Sequence, residues 1–251
     1  MNKLKKKISE KVYDNEFSYK LLASENHFKN IYKACSYSFE KGCGSYLFDG
    51  YNYEYQIETY QKQKILYEKV KNKKNILEIG TYMGHSLLII LMANPNANIT
   101  CIDINDRYSL PSVKYLQREF PDSNINFIKS DSLKVLRNLK EKYDLIHIDG
   151  AHKNKIVTKE FYYCMNLIRE KDAKFIFDDR DNISILIKNI IETFFIKDNV
   201  SPKCIYSNLY LNIIFPRNKF IYGYKKLNFI LKNNFSYIFL KIKKLLRLKR
   251  I

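Results

Sequence analysis

Short apolar runs alternate with segments of helical periodicity through the middle of the chain. Each run is followed by a stretch in which apolar side chains return every three or four positions. The runs predicted to be strands are Asn75–Ile79, Ile99–Asp103, Ile125–Lys129, Tyr143–Asp149 and Lys174–Asp178. Strands that alternate with helices in this way predict a mostly parallel sheet covered on both faces.

The segments between these runs predict the covering helices. Their boundaries are Tyr60–Lys71, Ser86–Met92, Ser112–Phe120, Ser132–Leu139, Lys155–Glu170 and Ile183–Phe195. Beyond them, Lys203–Tyr206 and Leu209–Phe215 lie so close together that only a hairpin can join them. The predicted fold class is therefore α/β, with a Rossmann-like, doubly wound and mostly parallel seven-stranded sheet that ends in an antiparallel hairpin.

A chain of 251 residues is long enough for one substantial core. We expect a helical N-terminal extension or cap over residues 1–59, the α/β domain over 60–216 and a basic extension over 217–251. The five cysteines are scattered without a C-x-x-C pair, which favours free thiols in a reducing compartment. No secretory signal or run of about 18 apolar residues is recognisable, so a soluble, cytoplasmic protein is expected.

The formal net charge of +18 is concentrated at one end of the chain. Residues 217–251 contain eleven Lys or Arg and no Asp or Glu. On a helical wheel, one face carries Phe235, Ile238, Phe239, Ile242, Leu245 and Leu246, largely opposite Lys241, Lys243, Lys244 and Arg247. Three interpretations stay open: packing on its own domain or in a homodimer, an anchor on a lipid surface, and an arm that binds nucleic acid or another polyanion.

Candidate chemistry begins where the first predicted strand ends. The sequence from Glu78 to Ser86 reads E-I-G-T-Y-M-G-H-S, and its two glycines let the backbone approach a ligand closely. The G-x-G-x-x-G fingerprint of NAD-binding proteins is absent. Asp103 ends the next strand, where a carboxylate can accept hydrogen bonds from ribose hydroxyls. Asp131 and Ser132 follow the third strand and are also ordinary helix caps.

Together these motifs resemble the methyl-donor site of class I S-adenosylmethionine-dependent methyltransferases. Within them, the stretch from about Tyr60 to Arg180 is most similar to the metal-dependent O-methyltransferases of the catechol and caffeoyl-CoA type and their sugar O-methyltransferase relatives. The resemblance implies S-adenosylmethionine as the cofactor. The residues that it assigns to donor binding are Glu78, Gly80, Thr81, Gly84, Ser86, Asp103, Asp131 and Ser132.

Three further acids, Asp149, Asp178 and Asp179, follow the fourth and fifth predicted strands. Neighbouring strands lie about 4.8 Å apart, so these carboxylates would repel one another unless a cation joins them. A Mg²⁺ or Mn²⁺ ion on the three acids is predicted, and the resemblance agrees. It also places His152 where relatives carry a basic lysine, so His152, beside Asp149, is the predicted general base. Lys153 and Lys155 are less favoured, and His27 and His147 are expected to be structural.

The expected function is metal-assisted methylation of a hydroxyl on a sugar, glycan or similar vicinal diol. Methylation of a catechol-like small molecule is the main alternative, because the same cation and base could serve it. A methyltransferase-fold protein that binds nucleic acid is an alternative of another class, motivated by the charge. No Asn-Pro-Pro-Tyr-like motif follows the fourth strand, which argues against base methylation.

Overall fold

The computed structural model describes residues 15–169, 172–178, 180–201 and 208–248, with side chains of the last helix described to Ile238 except Tyr237. Within these ranges the strands form one seven-stranded sheet. They are β1 (Asn75–Ile79), β2 (Asn98–Asp103), β3 (Asn124–Lys129), β4 (Leu145–Ile148), β5 (Asp172–Phe177), β6 (Phe195–Val200) and β7 (Leu209–Ile214). Their order across the sheet is β3-β2-β1-β4-β5-β7-β6, and β7 alone runs antiparallel to its neighbours β5 and β6.

Helices cover both faces of this sheet. They are α1 (Glu16–Ala23), α2 (Glu25–Ala34), α3 (Tyr60–Val70), α4 (His85–Ala93), α5 (Asp106–Glu119), α6 (Ser132–Asn138), α7 (Asn154–Cys164), α8 (Ser184–Thr193) and α9 (Lys219–Leu248). Helix α5 begins six residues before the predicted Ser112, because Asn105 caps it and Pro111 lies inside its second turn. The α/β fold class and the doubly wound, mostly parallel sheet are confirmed.

The terminal hairpin is present, but its first strand was predicted in the wrong place. Phe195–Val200 forms β6. The predicted helix Ile183–Phe195 includes only the first residue of this strand, and no element is predicted over 196–200. The predicted strand Lys203–Tyr206 lies outside the described residues. Strand β6 is at the sheet edge and largely exposed, so its sequence lacks the apolar alternation that reveals a half-buried strand.

The hydrophobic core lies in two clusters. In one, α4, which is apolar from Leu87 to Met92, packs with side chains of α1 and α2 such as Phe17 and Ile31. Aromatic rings dominate the other, where Phe161 contacts Phe175. The described part of the predicted N-terminal cap therefore shares a core with the α/β domain and does not form a core of its own.

Helix α9 lies against α8 through one face. Phe229 on that face is completely buried, and Asn189 Nδ2 donates to Asn233 Oδ1 at 3.0 Å. The predicted amphipathic pattern at Phe239, Ile242, Leu245 and Leu246 falls outside the described side chains. No helix in the described ranges is long and apolar enough to cross a membrane.

The turn after β1 is pressed against the end of β4. Gly80 has a φ of +88°, and a Cβ atom built on it would lie 2.3 Å from the carbonyl oxygen of Asp149. Any side chain would have to push the two strand ends apart. This contact holds the glycine turn beside the acids that follow β4.

Replacing Gly80 with alanine should therefore lower the free energy of unfolding by about 2–4 kcal/mol. Gly223→Ala is the matched control, because nothing lies within 4 Å of its Cβ position and φ there is not positive. Since Gly223 is inside α9, the control should be neutral or stabilising by up to about 1 kcal/mol. Urea unfolding measures both, and equal effects would contradict the close-approach explanation.

Candidate active site

The predicted donor-binding residues gather at the carboxyl ends of β1 and β2. Asp103 Oδ2 accepts hydrogen bonds from the backbone N–H groups of Thr81 at 2.9 Å and Tyr82 at 2.7 Å. Gly84, with a φ of +72°, ends the turn and caps α4, where Ser86 is buried. Since the strand order reverses between β1 and β4, this is the edge at which open α/β sheets bind ligands.

Glu78 lies beneath this turn and is completely buried. One carboxylate oxygen is 3.4 Å from Nδ1 of His147 on β4, and the other accepts from the Cys101 thiol on β2 at 3.8 Å. His147 Nε2 in turn lies 2.9 Å from the Tyr46 hydroxyl. His147 thus has the expected structural role, whereas direct donor binding by Glu78 stays a prediction.

Asp131 and Ser132 lie where β3 leads into α6. Asp131 caps the helix, because its Oδ1 accepts from the Lys134 N–H at 3.1 Å. The Ser132 hydroxyl donates to Glu160 Oε1 at 2.6 Å. The Asp131 contact is an ordinary helix cap and the Ser132 contact joins α6 to α7, so neither tests the predicted donor contacts.

Glu160, on α7, interacts both with Ser132 and with the predicted base, His152. It is 1% exposed, and its Oε2 is buried without a hydrogen-bond partner. Burial raises the pKa of Glu160, the Ser132 hydrogen bond lowers it, Asp131 raises it and the positive charge of nearby His152 lowers it. His152 itself is an exposed residue just before α7.

Asp149 and Asp178 follow the neighbouring strands β4 and β5, as predicted. Asp178 is 8% exposed, and Lys62 Nζ of α3 lies 2.8 Å from its Oδ2. The Lys62 ammonium also lies 4.2 Å from the centre of the Tyr46 ring. Asp179 is outside the described residues.

The described residues do not fit the predicted divalent cation in this arrangement. No group of three or more metal-binding side chains occurs in the described ranges. The decisive feature is the Lys62 ammonium, which already neutralises Asp178 and would repel a second cation at the same carboxylate. The other oxygen of Asp178 is buried without a hydrogen-bond partner, so the carboxylate depends on Lys62 for its compensation.

Residues 35–59, between α2 and α3, form a covering segment over the glycine turn. This segment contacts His85, the first residue of α4. Ser45 Oγ lies 2.8 Å from His85 Nδ1, and Tyr53 Oη lies 2.8 Å from His85 Nε2. Burial lowers the pKa of His85 to about 3. The ring is therefore neutral at physiological pH.

Many unrelated activities occur on this fold, so the family of the chain has to come from comparison with known proteins. The O-methyltransferase family matches residues 54–180, just over half of the chain. The chain belongs to the O-methyltransferase family. The match spans the glycine turn, Asp103, Asp149 and Asp178, so the family assignment rests on the stretch that builds the site.

Similar proteins agree with this family. Tapetum-specific methyltransferase 1 of Arabidopsis thaliana is 33% identical over 93 residues, which are 35% of this chain and 40% of the relative. Flavonoid 3',5'-methyltransferase of Vitis vinifera is 32% identical over 72 residues, 28% of this chain and 31% of the relative. The chain thus matches less than half the length of either. An O-methyltransferase from Bacillus cereus, solved with S-adenosylhomocysteine (SAH), shares the fold with a TM-score of 0.59 and 13% identity over 82% of this chain and 94% of that one.

Sequence reasoning missed several residues of this candidate site. Lys62, Tyr46 and Glu160 carry no motif, and His85 lies inside the glycine-turn motif without a role assigned to it. The signal for Lys62 is its place among the inward positions of α3, next to Gln63. The contact between Tyr46 and His147 joins residues 101 positions apart, and no local pattern signals it.

Replacing Lys62 with methionine should lower the free energy of unfolding by about 3–5 kcal/mol, because it leaves the Asp178 charge buried and unpaired. Lys69→Met is the matched control on the same helix. Lys69 also pairs with an acid, Asp198 at 3.1 Å, and covers the Tyr210 ring, but the Lys69 and Asp198 side chains are 27% and 48% exposed. The control should cost no more than about 1 kcal/mol. Chemical denaturation of both variants gives the comparison, and similar losses would contradict the buried pair.

The free energy of unfolding should decrease as the pH is lowered, because His85 is buried and neutral in the folded protein. Its pKa is about 3 in the folded protein and about 6.5 when unfolded, so its contribution is complete above pH 6.5 and is lost as pH falls toward 3. Between pH 6.5 and 5.5 it should reduce the free energy of unfolding by about 1 kcal/mol. Urea titrations at the two pH values should show this loss in the wild type and a smaller one in His85→Gln. An unchanged loss in the variant would assign the pH dependence to other groups.

Proposed function

We propose that the protein transfers a methyl group from S-adenosylmethionine to a hydroxyl oxygen of a sugar, glycan or similar vicinal diol. The observation that carries this proposal is the Gly80–Gly84 turn, held against Asp103 and the end of β4 in a chain that belongs to the O-methyltransferase family. In this proposal, the turn and the first N–H groups of α4 receive the donor, and Asp103 accepts from the ribose hydroxyls.

The chemistry needs a positioned hydroxyl and a proton acceptor. The acceptor oxygen attacks the sulfonium methyl carbon, the carbon–sulfur bond breaks, and S-adenosylhomocysteine leaves with the electron pair. The hydroxyl proton passes to His152. The buried Glu160 carboxylate stabilises the resulting imidazolium, and Asp149 lies at the adjoining strand end.

We derive no step through a divalent cation. The metal predicted on Asp149, Asp178 and Asp179 stays a prediction, and the Lys62–Asp178 ion pair argues against it. In this proposal, Lys62 supplies the positive charge that offsets the Asp178 carboxylate at the carboxyl end of β5.

Two other functions compete with this one. Methylation of a catechol-like molecule is favoured by the similarity to a flavonoid methyltransferase. Binding of nucleic acid is favoured by the charge of +18 alone. A panel of polyols, glycans, catechols and RNA offered with labelled donor distinguishes the three, because each predicts a different methylated or bound product.

Calorimetric titration of the EDTA-treated protein with S-adenosylhomocysteine tests the donor site. Binding to one site is expected, and Asp103→Asn should weaken it by about 10–100-fold, since hydrogen bonds to a charged acceptor are worth about 1.5–3 kcal/mol. Asp106→Asn removes a nearby acid that pairs with exposed Lys129 and should bind normally.

With donor bound and an accepted substrate identified, His152→Gln should lower kcat by about 10²–10⁴-fold with little change in donor affinity. Lys153→Gln serves as the control at the adjacent exposed position. Absence of donor binding in the wild type would overturn the proposed function. If turnover requires added Mg²⁺, the predicted metal site would be supported and the role given to Lys62 would be wrong.

A further inference from the structure

Helix α9 has a continuous apolar stripe on the face that points away from the protein. Its members recur every three or four residues and are between 46% and 89% exposed. They are Phe220, Tyr224, Leu227, Leu231, Phe235 and Ile238. At about 100° per residue they fall within about 80° of the helix circumference, so the stripe is straight and one-sided. Single exposed apolar residues are common, but six in one line are not.

Contacts between the opposite face of α9 and the domain show that the stripe points away from the domain. Phe229 is completely buried, Asn233 pairs with Asn189, and the Tyr222 hydroxyl donates to the Met165 carbonyl at 3.0 Å. These residues lie about 180° from the stripe on the helical wheel. The helix is therefore attached to the domain along one side and presents apolar side chains on the other.

Lysines lie along both flanks, between the attached face and the stripe. Lys225 and Lys232 are on one flank, and Lys219 and Lys226 are on the other. Lys225 and Lys226 donate to Thr193 O and Asn166 Oδ1, and Lys232 pairs with Glu192 at 3.3 Å, so the domain holds three of these four ammonium groups. The segment 217–251 itself has eleven basic residues and no acid.

We propose that this face of α9 binds a membrane surface rich in anionic lipid, with the helix lying in the plane of the interface. The apolar stripe enters the boundary between headgroups and acyl chains, and the net positive charge of segment 217–251 attracts the headgroup phosphates. Each basic residue near such a surface contributes about 1 kcal/mol. The domain rests above the membrane, so the protein would meet its methyl acceptor there.

The charge and the side chains argue against other occupants. A second copy of the helix would bring together two segments that each carry eleven basic residues and no acid, and the neighbouring Glu192 is already paired with Lys232. Nucleic acid would use the lysines, but Leu227, Leu231 and Ile238 gain nothing from phosphates and offer no ring for base stacking. A lipid surface uses both the charge and the aliphatic side chains.

Co-sedimentation of the full chain with vesicles tests this proposal. The probes are phosphatidylcholine alone and phosphatidylcholine with about 30% phosphatidylserine at about 0.1 M salt. We expect binding to the mixed vesicles, at least about tenfold weaker binding to the neutral ones, and a similar loss in Phe220→Ser/Leu227→Ser/Phe235→Ser.

The control variant is Tyr19→Ser/Tyr51→Ser/Ile104→Ser, which removes three similarly exposed apolar side chains from other elements. It should bind within about twofold of the wild type, since it leaves the stripe intact. Three results would overturn the proposal: no binding to the anionic vesicles, equal binding by both triple variants, or a dimer in sedimentation that the stripe variant alone abolishes. Donor binding is measured separately on the same variants, so failure here does not affect the proposed methyl transfer.

Discussion

A buried ion pair joins Lys62 on helix α3 to Asp178 at the carboxyl end of strand β5. Both side chains are at most 6% exposed, so the buried Asp178 charge is compensated by the Lys62 ammonium. Asn208 Nδ2 donates to the Lys62 carbonyl oxygen at 3.1 Å, and the Tyr46 ring lies against the Lys62 ammonium. The arrangement fixes α3 against the tips of β5 and β7.

The donor side of the edge depends on backbone geometry. Gly80 allows the first turn to touch the end of β4, and Asp103 holds the N–H groups of that turn. His85 then attaches the covering segment to the helix that begins there. The glycine turn, the covering segment and the end of β4 that carries Asp149 are thus connected by direct contacts. A change at any of them should affect the geometry of the others.

The core of the fold could be predicted from the sequence because it is encoded locally. Strand β1 has the bounds that the apolar run predicted, and α4 is buried along almost its whole length. Strand β6 was misplaced because an exposed edge strand has no apolar alternation. Lys62 was missed because a lysine in a helix is normally solvated, and its partner is 116 positions away. Asp149 and Asp178 could be placed from the sequence because they follow strands, whereas the pairing of Asp178 with Lys62 is visible only in the folded chain.

The proposed reaction depends on a methyl donor bound at the carboxyl ends of β1 and β2. A crystal structure of the protein with S-adenosylhomocysteine would locate the donor site. We expect the nucleoside beside the Gly80–Gly84 turn, with its ribose on Asp103 and its sulfur directed toward Asp149 and His152. Nucleoside bound elsewhere, or a turn that leaves no room for it at saturating ligand, would show that the donor site is wrongly placed.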